Sequence, residues 1–299
     1  MMRRGYCNSL LLVFCAGVFW STQGLAIRLI EGSDAWQILF YRSISLSVFL
    51  LVVIFFQYGR RSVGAIRSTG IPGVVGAICL VFAYAFGILA MQQTTIADAV
   101  LLFATAPFFA AVLGWLCLGE KVQKSTWIAI GLAMAGIVVM QGGAIANGNA
   151  LGNLYAVGSA FCFALFTLVL RGRKHGDMMP TVFLSGLFAT VICFGVSTAM
   201  GTGLSVPAND VLVASLMGVF QTGAGLVLYT IGARTVPAVQ LALLPLIEVI
   251  LSPIWVALII GEIPTAIVLI GGLLVGIAII GDALRTARRP AVDPGQNVS

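Results

Sequence analysis

A 299-residue chain that is 60% hydrophobic and 9% charged, with mean hydropathy +1.08, excludes a water-soluble fold, because soluble domains carry roughly 25% charged residues. It is an all-α integral membrane composition, with the bilayer as its solvent. The net charge of +6 resides in Lys and Arg gathered between apolar runs, which argues against nucleic acid as a partner.

Arg3 and Arg4 precede an apolar run reaching about Ile27, with no small-residue cleavage site before the next span. The N-terminus therefore reads as a first membrane helix and not as a leader. A hydrocarbon core roughly 30 Å thick needs about 20 helical residues. On that measure ten spans follow, at roughly 8–28, 36–57, 71–91, 96–118, 125–143, 151–171, 179–200, 209–232, 237–260 and 264–284. The linkers are short and carry turn signals, as in Glu31-Gly32-Ser33-Asp34, Asn147-Gly148-Asn149 and Gly201-Thr202-Gly203. Residues 286–299, with Pro290, Pro294 and Gly295, show no apolar period and read as a disordered tail.

The six cysteines (Cys7, Cys15, Cys79, Cys117, Cys162, Cys193) lie singly, so neither a metal site nor a disulfide framework is indicated, and they read as small packing residues. His175 is the one histidine and lies in a basic loop; no P-loop, nucleophile elbow or His-Glu-x-x-His pattern is present. No cofactor is implied. Any flux would run on a substrate or proton gradient.

Several residues stand out along the spans. Trp20 and Gln23 sit at i, i+3 in the first span, and Tyr84 is in the middle of the third. Arg42 lies about 9 Å inside the second span, counted from Trp36. It suits a carboxylate bound bidentately, but it equally fits snorkelling, or pairing with an acid such as Asp98 to lock the fold. Asp98 is close to the start of its span, which favours a helix-starting role. Phe163 and Phe166 place rings in the sixth span, and Gln221, Gly225 and Tyr229 recur at i, i+4, i+8 along one face of the eighth. Together they describe a mostly apolar wall with few polar anchors. Aromatic residues on helices also serve plain packing. Gly131, Ala135 and Gly136 in span five and Gly272 and Gly276 in span ten suit close helix contact or a homodimer face.

The stretch Pro237–Glu262 organises the rest. It carries one carboxylate, Glu248, roughly 16 Å past Pro237, and the prolines Pro245 and Pro253. An acid at that depth rarely faces lipid. It can hold a cationic group, take a proton, pair with an arginine, or bond a neighbouring helix structurally. Pro107, Pro245 and Pro253 each remove a backbone hydrogen bond, so spans four and nine should hinge there.

Orientation follows from the basic residues. With a cytoplasmic N-terminus, Arg60, Arg61, Arg67, Lys121, Lys124, Arg171, Arg173, Lys174, Arg234, Arg285, Arg288 and Arg289 all fall on the cytoplasmic side, with Arg28 alone at the outer boundary. Both termini are then cytoplasmic. Asp98–Glu120 also echoes the Pro237–Glu262 stretch at an offset of about 142 residues, far above solenoid periods. Both copies contain an internal proline and end in Gly-Glu. Trp20 matches Phe163, Arg28 matches Arg171, and Gly76 matches Gly218 at nearly the same offset. Five spans per copy is an odd number, so the second copy inserts oppositely: residues 1–145 and 146–285 form an inverted repeat.

The segments FYRSISLSVFL (Phe40–Leu50), APFFAAVLGWLCLGEKV (Ala106–Val122), LLPLIEVILSPIWVALIIGE (Leu243–Glu262), GLAMAGIVV (Gly131–Val139) and GGLLVGIAII (Gly271–Ile280) resemble the EamA type of the drug/metabolite transporter superfamily. The resemblance runs from about Leu10 to Ile280. It implies a ten-helix inner-membrane carrier with a pocket between its halves, but little about cargo. Pro107 has no positional match in Pro245 or Pro253, so spans four and nine need not move alike.

The expected function is thus secondary or facilitative transport of a small amphipathic metabolite, an amino acid or derivative foremost. Glu248 is the charge anchor or proton site and Arg42 a carboxylate partner or structural ion. The lining is Trp20, Gln23, Tyr84, Phe163, Gln221 and Tyr229. A riboflavin-like vitamin or a drug or amine is the alternative cargo. A lipid-metabolising enzyme would need an interfacial acid or histidine cluster that the sequence lacks, and a scaffold or sensor does not need ten spans.

Overall fold

The first long helix begins before the chain's seventh residue and already departs from regularity near mid-span. In the computed structural model the described residues are 2–119, 127–128, 131–132, 135, 139, 149–171, 179–233, 247–263, 266, 269–270, 273–274, 276–277 and 281. Glu120, Lys121, Lys124, Gly136, Arg173, Lys174, His175, Arg234, Pro245, Gly272 and the tail 286–299 lie outside them.

Helix α1 (Met2–Ser21) is followed by α2 (Gln23–Arg28), α3 (Ala35–Tyr58), α4 (Ser62–Arg67), α5 (Gly70–Gln93), α6 (Ile96–Phe103), α7 (Ala106–Leu118), α8 (Ala150–Arg171), α9 (Met179–Ala199) and α10 (Ala208–Leu216). A π-helical stretch (Met217–Ala224) then leads into α11 (Gly225–Ala233), and α12 covers Ile247–Ile259. Among the described residues seven continuous stretches are long and apolar enough to cross a bilayer. Large apolar side chains such as Phe56, Ile71, Val191 and Leu258 point outward, as lipid requires.

Helix starts and stops follow local chemistry. Asp34 caps α3: its carboxylate accepts from the amides of Trp36 and Gln37, while Gln37 Oε1 accepts from the Asp34 amide, a reciprocal capping box. Thr95 starts α6 by accepting from the Asp98 amide, and its hydroxyl donates to Asp98 Oδ2 at 2.7 Å. Asp98 therefore sits in the first turn of a helix, where the dipole favours an acid. It makes no pair with Arg42; its Oδ2 accepts from the Thr95 hydroxyl, while the buried Oδ1 has no partner among the described residues.

Two spans are interrupted part-way along their length. Span one is interrupted at Thr22, whose amide and hydroxyl both fold back onto the Phe19 carbonyl. In span four the interruption falls at Ala104–Thr105, where Thr105 donates backward to the Leu102 carbonyl. Pro107 comes just after, at the second position of α7, where no backbone N–H is needed. Its missing N–H also leaves the Phe103 carbonyl without its usual donor, so the interruption falls in the turn that a proline disrupts. Pro253 lies within α12 and leaves the Val249 carbonyl without its usual donor, one residue past Glu248.

The helices pack in pairs drawn from the two halves of the sequence: α5 along α8, α3 along α9, α1 along α11, α7 against α8, and α12 against α1, α2 and α6. Small residues permit this. Ala156, Ala160 and Ala164 recur at four-residue spacing on α8, all buried. A Cβ on Gly218 would collide with the Arg42 carbonyl oxygen and the Ser45 hydroxyl, so the π-helical stretch rests directly on the α3 backbone. Buried Ile38, Leu39, Ile88, Met91, Val100 and Leu102 fill one core region; Leu46, Leu50, Leu80, Phe166 and Val182 fill a second.

One end of the bundle is fastened by bonds between distant parts of the chain. Asp210 accepts from the Gly32 amide at 3.0 Å and the Ser33 hydroxyl at 2.7 Å. Gln37 donates to the Gly203 carbonyl and Tyr41 to the Leu204 carbonyl. The α6 N-terminus and the residue after α12's C-terminal Gly261 meet here too, so these two helices run in opposite directions.

A candidate cargo cavity beneath an ion-pair clasp

At the fastened end, Glu262 joins three helix termini. Its Oε2 accepts from Arg28 Nε at 2.7 Å and its Oε1 from the Ile96 amide at 2.8 Å, while Arg28 Nη2 donates to the Thr94 carbonyl at 2.9 Å. The geometry has a physical logic. An anion meets the amide end of α6, and a cation meets the carbonyl end of α5, each matching a helix dipole. Arg28–Glu262 is the one ion pair among the described residues.

Below this clasp lies a small, partly open cavity lined by Trp20, Gln23, Met91, Val100, Phe103, Glu248 and Ser252. Glu248 lies one helical stretch down from Glu262, at roughly 1.5 Å per residue about 20 Å deeper. The room for water centres is about 60 Å³. A single water needs roughly 10–15 Å³, so the cavity as built holds a few waters. A metabolite pocket of about 300 Å³ or more requires its walls to part.

The breaks described above cluster on this cavity. Trp20 and Gln23 flank the interruption at Thr22, and Phe103 is the last residue before the interruption in span four. Glu248 and Ser252 straddle the carbonyl freed by Pro253. Irregular backbone at membrane depth is tolerated where it lines a cavity or is buried in protein.

Its polar groups are few. Glu248 has no hydrogen-bond or ion-pair partner among the described residues, and neither does the buried Ser252 hydroxyl. Gln23 Oε1 accepts from Gln221 Nε2 at 3.0 Å. Gln221 Oε1 in turn accepts from Thr222 Oγ1 at 2.7 Å, and Thr222 accepts from Arg42 Nε at 3.0 Å. Trp20 closes one side: its ring lies 5.4 Å from that of Tyr229, and Gly225 packs so closely under the indole that a Cβ there would strike Nε1. Trp255 donates to the Ser21 hydroxyl at 3.0 Å, tying α12 to α1 at the same level.

Of the residues singled out in the sequence, Trp20, Gln23 and Glu248 line the cavity, while Gln221 and Tyr229 form its supporting layer. Arg42 is buried behind that layer, its guanidinium carbon 4.7 Å above the Tyr84 ring. Tyr84 thus supports the arginine and is not among the lining groups. Phe163 is displaced from the cavity altogether: it is 41% exposed, with its ring against Phe166, because the inward face of α8 is taken by alanines. The sequence reading missed Ser252, Thr222, Met91, Val100 and Phe103. A serine four residues after Glu248, and thus on its helix face, was a usable signal; the apolar three carried none. Among the described residues no group of acids, cysteines and histidine could hold a metal ion.

Comparison with known proteins adds an independent line. The model of the EamA-like transporter family matches twice, at residues 8–141 and 150–281. An uncharacterized transporter of Helicobacter pylori (strain 26695) is 27% identical over 61% of this chain, and the chain spans about 63% of that relative's length. The uncharacterized transporter YwfM of Bacillus subtilis is 24% identical over 92% of this chain and 94% of its own. The pseudopaline exporter CntI of Pseudomonas aeruginosa (strain UCBPP-PA14) is 24% identical over 91% and 95%. One solved crystal structure superposes with a TM-score of 0.68 over 95% of this chain and 99% of its own, at 17% identity, a likeness of fold alone.

Proposed function

This chain belongs to the EamA-like transporter family, a multi-pass membrane transporter and not an enzyme, and from that premise we propose that it carries a small amphipathic metabolite by alternating access around Glu248. An amino acid or derivative is the cargo class favoured. The observation that carries the reading is a cavity holding a carboxylate and a hydroxyl that have no partner among the described residues, together with a glutamine and aromatic side chains, beneath a breakable clasp.

Two repeats of five spans, 1–145 and 146–285, account for the packing. Exchanging each span for its counterpart five spans on turns the α5–α8 pairing into the α11–α1 pairing, and α7–α8 into α12–α1. The opposite directions of α6 and α12 support inverted insertion, and the two family matches support the repeat. The clasp end is then the outer face of the inner membrane, both termini are cytoplasmic, and residues 286–299 form a cytoplasmic tail. A proton is the coupling ion in this scheme, with Glu248 as its carrier.

The aromatic lining of Trp20 and Phe103, with Tyr229 behind Trp20, also suits a flat heterocycle, so a vitamin or drug-like amine is the second reading. A relative that is an exporter supports the outward direction. The test is flux in proteoliposomes. Glu248→Gln should keep the protein inserted while abolishing transport or making it independent of the pH gradient; wild-type flux at every pH would remove Glu248 from the mechanism.

A further inference from the structure

Arg42 is 2% exposed, yet among the described residues no carboxylate pairs with it: Nε bonds Thr222, the guanidinium lies on Tyr84, and Nη1 has no partner. A guanidinium only donates hydrogen bonds. Thr222 Oγ1 therefore accepts from it, and its single hydrogen goes to the Gln221 carbonyl oxygen, Oε1, 2.7 Å away. The Gln221 nitrogen accordingly turns to Gln23, 3.0 Å off, and meets an oxygen there too. What remains of Gln23 is an NH2 group carrying two donors, on a residue that lines the cavity. Gln23 Nε2 and the Phe103 ring, another lining group, both lie within 4 Å of the point where a Cβ on Gly87 would stand.

An isolated glutamine has no such bias, because its two ends are nearly the same shape. Gln221 and Thr222 are neighbours within the π-helical stretch, which Gly218 seats against Arg42's own backbone.

Resting on the transport reading of this cavity, we propose that Arg42 is a positioning residue that fixes the polarity of the Gln23 amide, so that the site receives a hydrogen-bond acceptor at Gln23. The cargo group met there is a carboxylate, a carbonyl or a ring nitrogen, and not an ammonium. Glu248 takes the opposite kind of group in the same cavity, so the site selects molecules carrying both. Arg42 acts through two intermediaries and touches no cargo.

The test reads the amide directly and needs no substrate. Full-length protein in nanodiscs is labelled with ¹⁵N-glutamine, and the side-chain signals of Gln23 and Gln221 are assigned from the Gln23→Leu and Gln221→Leu spectra. In the wild type, one Gln221 amide proton should be hydrogen-bonded and slow to exchange, while both Gln23 protons exchange with cavity water. Arg42→Met and Thr222→Val should speed Gln221 exchange about tenfold, as expected for a lost hydrogen bond, and Arg42→Lys should restore part of the protection. Thr222→Val keeps the arginine and the side-chain shape, so it reports even if Arg42→Met fails to fold. A protected Gln23 amide in the wild type overturns the proposal. So do unchanged signals in Thr222→Val, because a purely structural arginine would lower thermal stability without moving either amide. A protein with the expected spectra that moves no solute overturns the transport reading alone.

Discussion

Removing Glu262 should open the cavity to the clasp side. The carboxylate makes two bonds, one to Arg28 and one to the Ile96 amide. The ion pair is partly exposed, at 26% and 23% for its partners, so solvent screening holds it to about 1 kcal/mol or less. The bond from a helix N-terminal amide to a charged acceptor contributes about 1.5 kcal/mol. If the open form keeps neither, Glu262→Ala shifts the closed–open balance by about 2 kcal/mol, or roughly 30-fold at 1.4 kcal/mol per decade. Glu262→Gln keeps an acceptor for Ile96 and loses only the charge, so about fivefold is expected. The assay places a cysteine at Ser252, 2% exposed in the cavity, in a variant with the six native cysteines removed. The labelling rate is read with a membrane-impermeant maleimide applied to either side. Labelling should accelerate in the order wild type, Gln, Ala, and from the periplasmic side. Equal rates in all three folded proteins would refute the clasp; acceleration from the cytoplasmic side would refute the orientation.

Other outcomes separate packing from chemistry. Gly218→Ala forces a methyl into the Arg42 carbonyl and should destabilise by about 3 kcal/mol, whereas Gly225→Ala meets only the Trp20 side chain and should cost about 1 kcal/mol, both read by thermal unfolding. Asp210→Ala strands the Gly32 amide and the Ser33 hydroxyl and should cost about 1–3 kcal/mol, seen as faster proteolysis of the loop at residues 29–34. Phe163→Leu should leave flux unchanged, since that ring lies outside the cavity; a loss of transport there would show that the moving protein brings α8 inward.

How much of this was legible beforehand depends on the range of the interaction. Glu248 as a deep acid, Trp20 and Gln23 on one face, and Gln221 and Tyr229 on another could be read because helical periodicity places them whatever surrounds them. Pro107 stands two residues after the interruption at Ala104–Thr105, and spacing alone does not say whether such a proline begins a helix or bends one. Span one's break has no proline at all. Tyr84 and Phe163 could not be sorted by spacing, since a ring in mid-span may face a cavity, a cation or lipid.

The sequence by itself determined the solvent, the helical class, the repeated Gly-Glu segments and the carboxylate at depth, because burial in lipid is a property of composition and period. Tertiary structure alone decided what those groups meet. Arg28 finds Glu262 across 234 residues, and Arg42 reaches Thr222 across 180, through the π-helical stretch. Such pairings depend on how closely two backbones can approach, which glycines and alanines permit but no local pattern specifies.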